Sequence, residues 1–394
     1  MRLRRPGAVV FFNARVLEHG RVIASSIRVA GGRIAALDCP PGSEDTAVDL
    51  DGDWVFPGLI NAHDHLELNH FPRLKWRGRY GNVGEWIADF QPRFKTDPAL
   101  VAGMSAPFED RLLIGGIKNL LSGATTVCHH NPYHAALGRR FPVRVVTRYR
   151  YSHSLLIDGE SVRHVHHQTP RGWPWIIHAA EGTDREAEQE LDRLLELECI
   201  TPNTVLVHAV GFRQDTRDSL CRADAAIVWC PSSNQYLLGT TADVSALAAA
   251  GRVALGTDSR LSGGRDILAE IRLAAGTKQV DARAILRMIT VDAARILRLP
   301  DSGMLRCGAW ADLVVIPRRR ADPLDDLLET DRSGLRMVLL GGRAQIADAD
   351  LVQAFTATRV RSVEVRLDGR HKRLSASLAE RLKRAQVREP GLEL

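Results

Sequence analysis

Along residues 8–54 apolar and polar positions alternate in short runs, AVVFFNARV, RVIASSIRV and RIAAL, broken at His19-Gly20, Gly31-Gly32 and Pro40-Pro41-Gly42. Alternation closed by Gly and Pro turns predicts short strands, so these residues read as a small all-β piece. From Val55 the pattern changes. Apolar runs at 55–63, 125–130, 143–149, 173–180, 204–210, 225–231 and 253–259 are separated by stretches of helical spacing. One such stretch, 184–198, carries Ala187, Leu191, Leu194, Leu195 and Leu197, and another covers 281–298. Strands alternating with helices predict parallel strands and crossover helices. After Pro300 strand runs return at 310–317 and 335–342, followed by VRSVEVRL, a turn at Asp368-Gly369 and an amphipathic helix near 374–387. The expected layout is α/β: a small β-sandwich built from residues 1–54 and 301–350, one barrel over 55–300, and an extension over 351–394.

Charge changes this picture only at one end. The 394 residues carry a formal net charge of +6, but residues 351–394 alone hold ten Lys/Arg against five Asp/Glu, so the body is nearly neutral. A nucleic-acid surface over the whole molecule is therefore not expected. With 45% hydrophobic and 25% charged residues the chain is of globular composition. The six cysteines, Cys39, Cys128, Cys199, Cys221, Cys230 and Cys307, form neither a CxxC pair nor a dense framework, which points to a reducing compartment. Arg2, Arg4 and Arg5 precede an apolar run, Ala8 to Phe12, that is too short for a signal-peptide core. No stretch approaches the roughly 20 apolar residues of a membrane span. The expectation is a soluble cytoplasmic protein with neither membrane nor nucleic acid as partner.

The chemistry-bearing residues fall at the C-terminal ends of the predicted strands, where barrel active sites are built. His63-Asp64-His65 closes the first, and side chains two apart on a strand face the same way, so both imidazoles can reach one cation. A second such pair, His164-x-His166, falls in what reads as a solvated surface connection. His178 ends a later strand with Glu181 three residues on, His208 ends the next, and Asp258 ends VALGT. Three imidazoles and one carboxylate in strand order suit a divalent metal.

The segments FPGLINAHDH, HAAEG, LVHAV, WCPSSNQYLLG, GTDS and GMLRCGAWADLVVI resemble the amidohydrolase superfamily, in its mononuclear cytosine/guanine/adenosine-deaminase-like and triazine-hydrolase-like branch. The resemblance runs over about residues 8–345 and implies a TIM-type (β/α)8 barrel beside a β-sandwich. It implies one divalent ion, zinc with ferrous iron as the alternative, on His63, His65, His178 and Asp258, with Glu181, His208 and Asp258 catalytic. Binuclear members bridge two metals with a carboxylated lysine on a middle strand, and this chain has no lysine between Lys118 and Lys278. A single ion is expected. A homodimer is also in keeping with the family.

An ion so held lowers the pKa of its water toward about 7. Asp258 then accepts the water proton, Glu181 shuttles protons to a ring nitrogen and the departing amine, and His208 steadies the tetrahedral centre. The expected activity is a metal-dependent aminohydrolase releasing ammonia from a nitrogen heterocycle, a small-molecule substrate. Hydrolysis of a cyclic amide, alkylamine or halide by the same parts is the alternative. Asn69, Arg73, Trp76, Arg148 and Gln235 are the expected substrate contacts, with His70, Arg77, Arg150 and Tyr236 beside them, and a basic rim there suits a carboxylate or phosphate. His129-His130-Asn131 either faces the cavity or packs. Only LIDGESVRHVHHQTPRG separates the third strand from the His178 strand, so one βα unit is expected to be degenerate or missing.

Overall fold

The computed structural model describes residues 8–18 and 21–394; Arg2, Arg4, Arg5 and the His19-Gly20 turn lie outside the described residues. The chain separates into two units, Met1–Leu59 with Leu120–Thr125 and Pro300–Leu394, and Ile60–Asn119 with Thr126–Leu299.

The first unit carries an eleven-stranded sheet to which both chain ends contribute. Its seam is the strand Trp54–Pro57, which pairs antiparallel with Leu313–Ile316, itself paired with Met337–Leu340. Apolar residues at alternating positions, among them Phe11, Ile27, Ile34, Val48 and Val315, meet in one buried cluster. The tail joins the same sheet. Its hairpin Ser362–Leu367 and Arg370–Ser375 pairs with Arg343–Asp348, and the helix Ala376–Arg384 buries Leu378, Ala379 and Leu382 at helical spacing. Buried ion pairs tie this region to the rest of the unit. Arg332, 1% exposed, pairs with Asp368 at 2.9 Å and with Glu389, and the buried Lys372 pairs with Asp348.

The second unit is α/β with parallel sheets. Arg150–Tyr151, Trp175–Ala179, Thr204–His208, Ala226–Trp229 and Val253–Leu255 form a five-stranded parallel sheet in sequence order. Leu59–Asp64, Ala124–His129 and Arg144–Val145 form a three-stranded one. The run 143–149, expected to be one strand, is split. Arg144–Val145 pairs with the strand before it, while Arg150–Tyr151, past the end of the run, pairs with the His178 strand. Two short helices, Leu155–Asp158 and Ser161–His167, fill the interval where a full βα unit was missed. The second contains His164-x-His166, which is therefore not a solvated loop: His166 is buried, with Nε2 3.0 Å from the Thr201 hydroxyl. Asp184 caps the helix Arg185–Glu196, accepting from Ala187 N at 3.0 Å. The 281–298 stretch is two helices, Ala282–Met288 and Val291–Ile296, because Thr290 between them has non-helical angles of φ −136° and ψ −101°.

Candidate metal centre and active site

The strand Leu59–Asp64 is buried along its whole length, so its alternation sorts function rather than solvent exposure. His63 and His65 point to one side. Asp64 turns to the other, where its carboxylate accepts from Lys118 Nζ at 3.2 Å, Asn119 Nδ2 at 2.8 Å, Asn61 Nδ2 at 3.2 Å and Asn69 Nδ2 at 2.8 Å. Lys118 and Asn119 come from the helix Phe108–Leu121. Gly115, one turn earlier on that helix, lets it approach: a Cβ there would collide with the Leu66 backbone.

His178, near the end of its strand, completes a cluster with the first pair. Its Nε2 is 3.2 Å from His63 Nε2 and 3.3 Å from His65 Nε2, and all three rings are buried. Asp258 Oδ1 lies 3.7 Å from His65 Nε2 and 3.9 Å from His63 Nε2. Tetrahedral metal–nitrogen bonds of about 2.05 Å imply nitrogens roughly 3.3 Å apart, and the two edges from His178 match that separation. His178 Nδ1 donates to the His153 carbonyl at 2.7 Å, which leaves the Nε2 lone pair free to face the cluster. Burial and the neighbouring imidazoles hold His63 and His178 well below the usual histidine range, so both present neutral nitrogens. One divalent ion fits here, and zinc matches the nitrogen-rich set.

Around the cluster the backbone is strained. Ala180, His208, Ala209 and Asp258, all at strand ends, have positive φ of 51°, 78°, 56° and 51°. Such conformations cost about 1–3 kcal/mol each and persist where surrounding contacts enforce them. Ser262 Oγ donates to Asp258 Oδ2 at 2.7 Å and Ser259 N to Oδ1 at 2.8 Å. Burial alone would raise the Asp258 carboxyl, but His65, His208 and these donors outweigh it and hold it below the usual range. Glu181 Oε2 stands 3.4 Å from His208 Nε2. Burial, with the charges of Asp258 and Glu190, pushes the Glu181 carboxyl well above the usual range, whereas burial lowers His208 to about 4. Asn234 Nδ2 donates to His208 Nδ1 at 3.0 Å, so the neutral ring carries its proton on Nε2.

A cavity of about 240 Å³ opens on these groups and is lined by His65, His178, Glu181, His208 and Asp258. Its far wall comes from the helix Val83–Phe90, whose Val83 N donates to the Glu181 carbonyl at 2.9 Å and whose cap is Asn82. A second cavity of about 530 Å³ shares His178, Glu181, Val83 and Ile87 with the first.

The expected substrate contacts sit elsewhere. Asn69, 1% exposed, belongs to the network beneath Asp64, its Oδ1 accepting from Lys118 Nζ at 2.7 Å. The Arg73 guanidinium donates to the Gly263 carbonyl and Ser232 hydroxyl and lies over the Tyr236 ring. Trp76 packs near Phe90 under Arg93. Arg77 pairs with Asp89, His70 faces the Gly103 carbonyl, and Arg148, Arg150 and Gln235 are exposed. None of these lines either cavity. His129 and His130 are packed, the latter's ring 4.1 Å from that of His178, while Asn131 reaches the cavity wall. Sequence reasoning missed His153, which both orients His178 and lines the cavity, and the aromatic helix bearing Trp86 and Phe90. For the helix a signal was present, an amphipathic VGEWIADF behind the capping Asn82; for His153 none was.

Residues 164–344 match the Amidohydrolase family. A 5-methylthioadenosine/S-adenosylhomocysteine deaminase of Thermococcus sibiricus is 31% identical over 366 residues, covering 75% of this chain and 82% of that protein. One from Halobacterium salinarum is 29% identical over 367 residues, covering 80% and 84%. Among solved structures, an adenosine deaminase from Xanthomonas campestris with bound zinc superposes with a TM-score of 0.72 at 18% identity, covering 90% of this chain and 98% of that one. The chain belongs to the amidohydrolase family and is a metal-dependent hydrolase of carbon–nitrogen bonds.

Proposed function

We propose that the protein is an aminohydrolase that releases ammonia from an amino-substituted nitrogen heterocycle of the adenosine type, the class of substrate named for its relatives. The observation that carries this reading is Glu181: a carboxyl whose burial favours its protonated form, on the cavity wall, 3.4 Å from His208 and beside the three-histidine cluster.

In this reading His63, His65, His178 and Asp258 hold the ion. When bound, it supplies Lewis acidity and a water acidic enough to ionise near neutral pH. Asp258, kept ionised by its surroundings, takes the proton of the attacking water. Glu181 gives its proton to the ring nitrogen beside the reacting carbon and relays the proton from Asp258 to the departing amine; as the tetrahedral centre collapses, its hydroxyl proton returns through Asp258 to Glu181, so ammonia leaves neutral and the carboxyl is restored. His208 donates through Nε2–H to charge developing on the tetrahedral carbon's oxygen.

The reading includes a closed (β/α)8 barrel within the expected span 55–300, its first strand beginning at Leu59 because Trp54–Pro57, the start of the run 55–63, pairs into the eleven-stranded sheet. Eight strand segments support it, as do Thr257 N and Asp258 N, which both donate to the His63 carbonyl at 3.0 and 3.1 Å and so link the last strand to the first. The split 143–149 run then supplies the degenerate unit. The reading also includes the β-sandwich of residues 1–54 and 301–350 and the extension 351–394, whose strands prolong the sandwich's sheet. The homodimer and the cytoplasmic setting expected from the sequence belong to the same reading, and sedimentation equilibrium and cell fractionation check them.

Ammonia release should be measured over aminopurines, aminopyrimidines, aminopterins and aminotriazines with the zinc-loaded protein. Glu181→Gln is expected to keep its metal and lose about 10²–10⁴-fold in kcat. A fully active Glu181→Gln protein refutes the assigned role.

A further inference from the structure

The cavity's walls say which heterocycles can enter. Beyond the reacting groups, the inner chamber is lined by Leu68, Trp86, Ile87, Phe90, Phe94 and Leu237. Trp86 stacks on Phe90 at 4.9 Å and 10°, and Phe94 meets Phe90 edge-on at 4.2 Å. The one polar atom of this aromatic group, Trp86 Nε1, already donates to the Leu74 carbonyl at 2.9 Å. What this aromatic group turns toward the chamber is hydrocarbon, and the chamber's other polar lining residues, Gln91, Asn131, His153, Ser154, Ser259 and Ser262, include no lysine or arginine. The outer cavity continues from Val83, Ile87, Gln91 and Ile157, and its acidic lining residues are Glu85, Glu181, Glu186 and Glu190. Among the described residues lining the two cavities there is no lysine or arginine. Arg73 and Arg77, the basic groups of the loop after the first strand, are engaged with Gly263, Ser232 and Asp89.

We propose that the site selects an uncharged heterocycle bearing an apolar alkyl or aryl substituent, seated against Trp86, Ile87 and Phe90, and rejects the same heterocycle when that substituent ends in a carboxylate or phosphate. The proposal rests on the aminohydrolase reading for where the ring sits. An anionic end would leave water for a wall whose lining holds no lysine or arginine, and toward the outer cavity it would meet the exposed Glu186, a repulsive element as well as a missing attractive one. An apolar chain gains with each methylene it buries.

The test uses the zinc-loaded protein and calorimetric binding of purine and 1,3,5-triazine cores that lack the leaving amine. Each core carries a methyl, propyl or pentyl chain, or a carboxyalkyl chain of matching length. The expected result, on the core that binds, is affinity rising about fourfold per added methylene. The carboxylated partner should be weaker by more than roughly tenfold. Gln91→Arg, at an exposed position on the wall of both cavities, should narrow that gap at least roughly tenfold, with Ile87→Arg as the second variant. Carboxylated analogues binding as well as alkyl ones, affinity independent of chain length, or no binding by either core overturns the proposal. The aminohydrolase reading fails separately, when the amino-bearing counterparts bind in the preferred order yet release no ammonia.

Discussion

Replacing Lys118 with methionine removes the cation on which the far side of the metal centre is built. Lys118 is 0% exposed, and its Nζ donates to Asp64 Oδ2 at 3.2 Å, Asn69 Oδ1 at 2.7 Å, Thr257 Oγ1 at 2.9 Å and the Asp258 carbonyl at 3.2 Å. Burial pulls its pKa down and Asp64 opposes that, as expected for a buried pair. Each acceptor keeps another donor in the variant. Asn69 Oδ1 retains Arg260 N, Thr257 Oγ1 retains Asn61 Nδ2, and the Asp258 carbonyl retains the Thr257 hydroxyl. Lost hydrogen bonds are therefore a small part of the cost. The larger part is the Asp64 carboxylate, itself 0% exposed, left without a countercharge. Removing one partner of a buried pair costs about 3–5 kcal/mol, and the three amide donors remaining on Asp64 place this case near 3 kcal/mol. Urea unfolding of the metal-free protein reads that loss. Adding Asp64→Asn should recover part of it, because the two changes share one interaction. Chelator competition should show zinc affinity reduced by about 10–100-fold, since Asp64 sits between His63 and His65 and the Asp258 carbonyl loses its tie to the helix. A Lys118→Met protein within roughly 0.5 kcal/mol of the parent, with unchanged zinc affinity, refutes this account.

Removing the metal from the parent should lower its stability by about 4 kcal/mol relative to protein with free zinc at 1,000 times Kd. His178→Ala should erase that zinc-dependent gain in a thermal melt, and a melt indifferent to both changes counts against the centre. Burial raises Glu190 from 4.5 to about 7. Its protonated form is thus favoured on folding, and the stability it contributes is full below pH 4.5 and lost as pH rises through about 7. Glu190→Gln should match the parent near pH 4.5 and exceed it by roughly 3 kcal/mol at pH 8 in urea unfolding; equal stability at both pH values rules this out. Deleting residues 386–394 takes Glu389 and the Pro390 carbonyl from the buried Arg332 and should cost roughly 3 kcal/mol, read as a lowered urea midpoint.

The strand-end residues were legible because a buried parallel strand announces itself as an apolar run, and a His or Asp that closes such a run is conspicuous. His63, His65, His178, His208 and Asp258 all stood out in that way, and the structure gathers them in one cluster, with all but His63 on the wall of one cavity. The cavity's walls were not legible. Arg73 and Trp76 lie in the loop expected to touch substrate, but which side chains of a loop face inward is set by its tertiary partners, here Gly263, Ser232 and Arg93. Likewise the split at 143–149 depends on which neighbour each half finds, a fact of pairing rather than of local pattern. Lys118 drew notice as the last lysine before a long gap, yet its position under Asp64 depends on the close approach that Gly115 permits.

Two kinds of buried polarity meet at this centre, and they differ in what they demand of the fold. Asp64, Lys118, Asn61, Asn69, Asn119 and Thr257 satisfy one another, so that side of the strand is a closed network that gains little from any ligand. On the other side His178 Nε2 lies 3.2 and 3.3 Å from the Nε2 atoms of His63 and His65, so three ring nitrogens converge on one point that a cation can complete. The positive φ values at Ala180, His208 and Asp258 add strain to the same side. A fold tolerates such a face when something outside the chain completes it. The closed network then acts as a rigid backing that keeps the open face from relaxing, and for that reason a change at Lys118, remote from any reacting atom, should register in metal affinity as well as in stability.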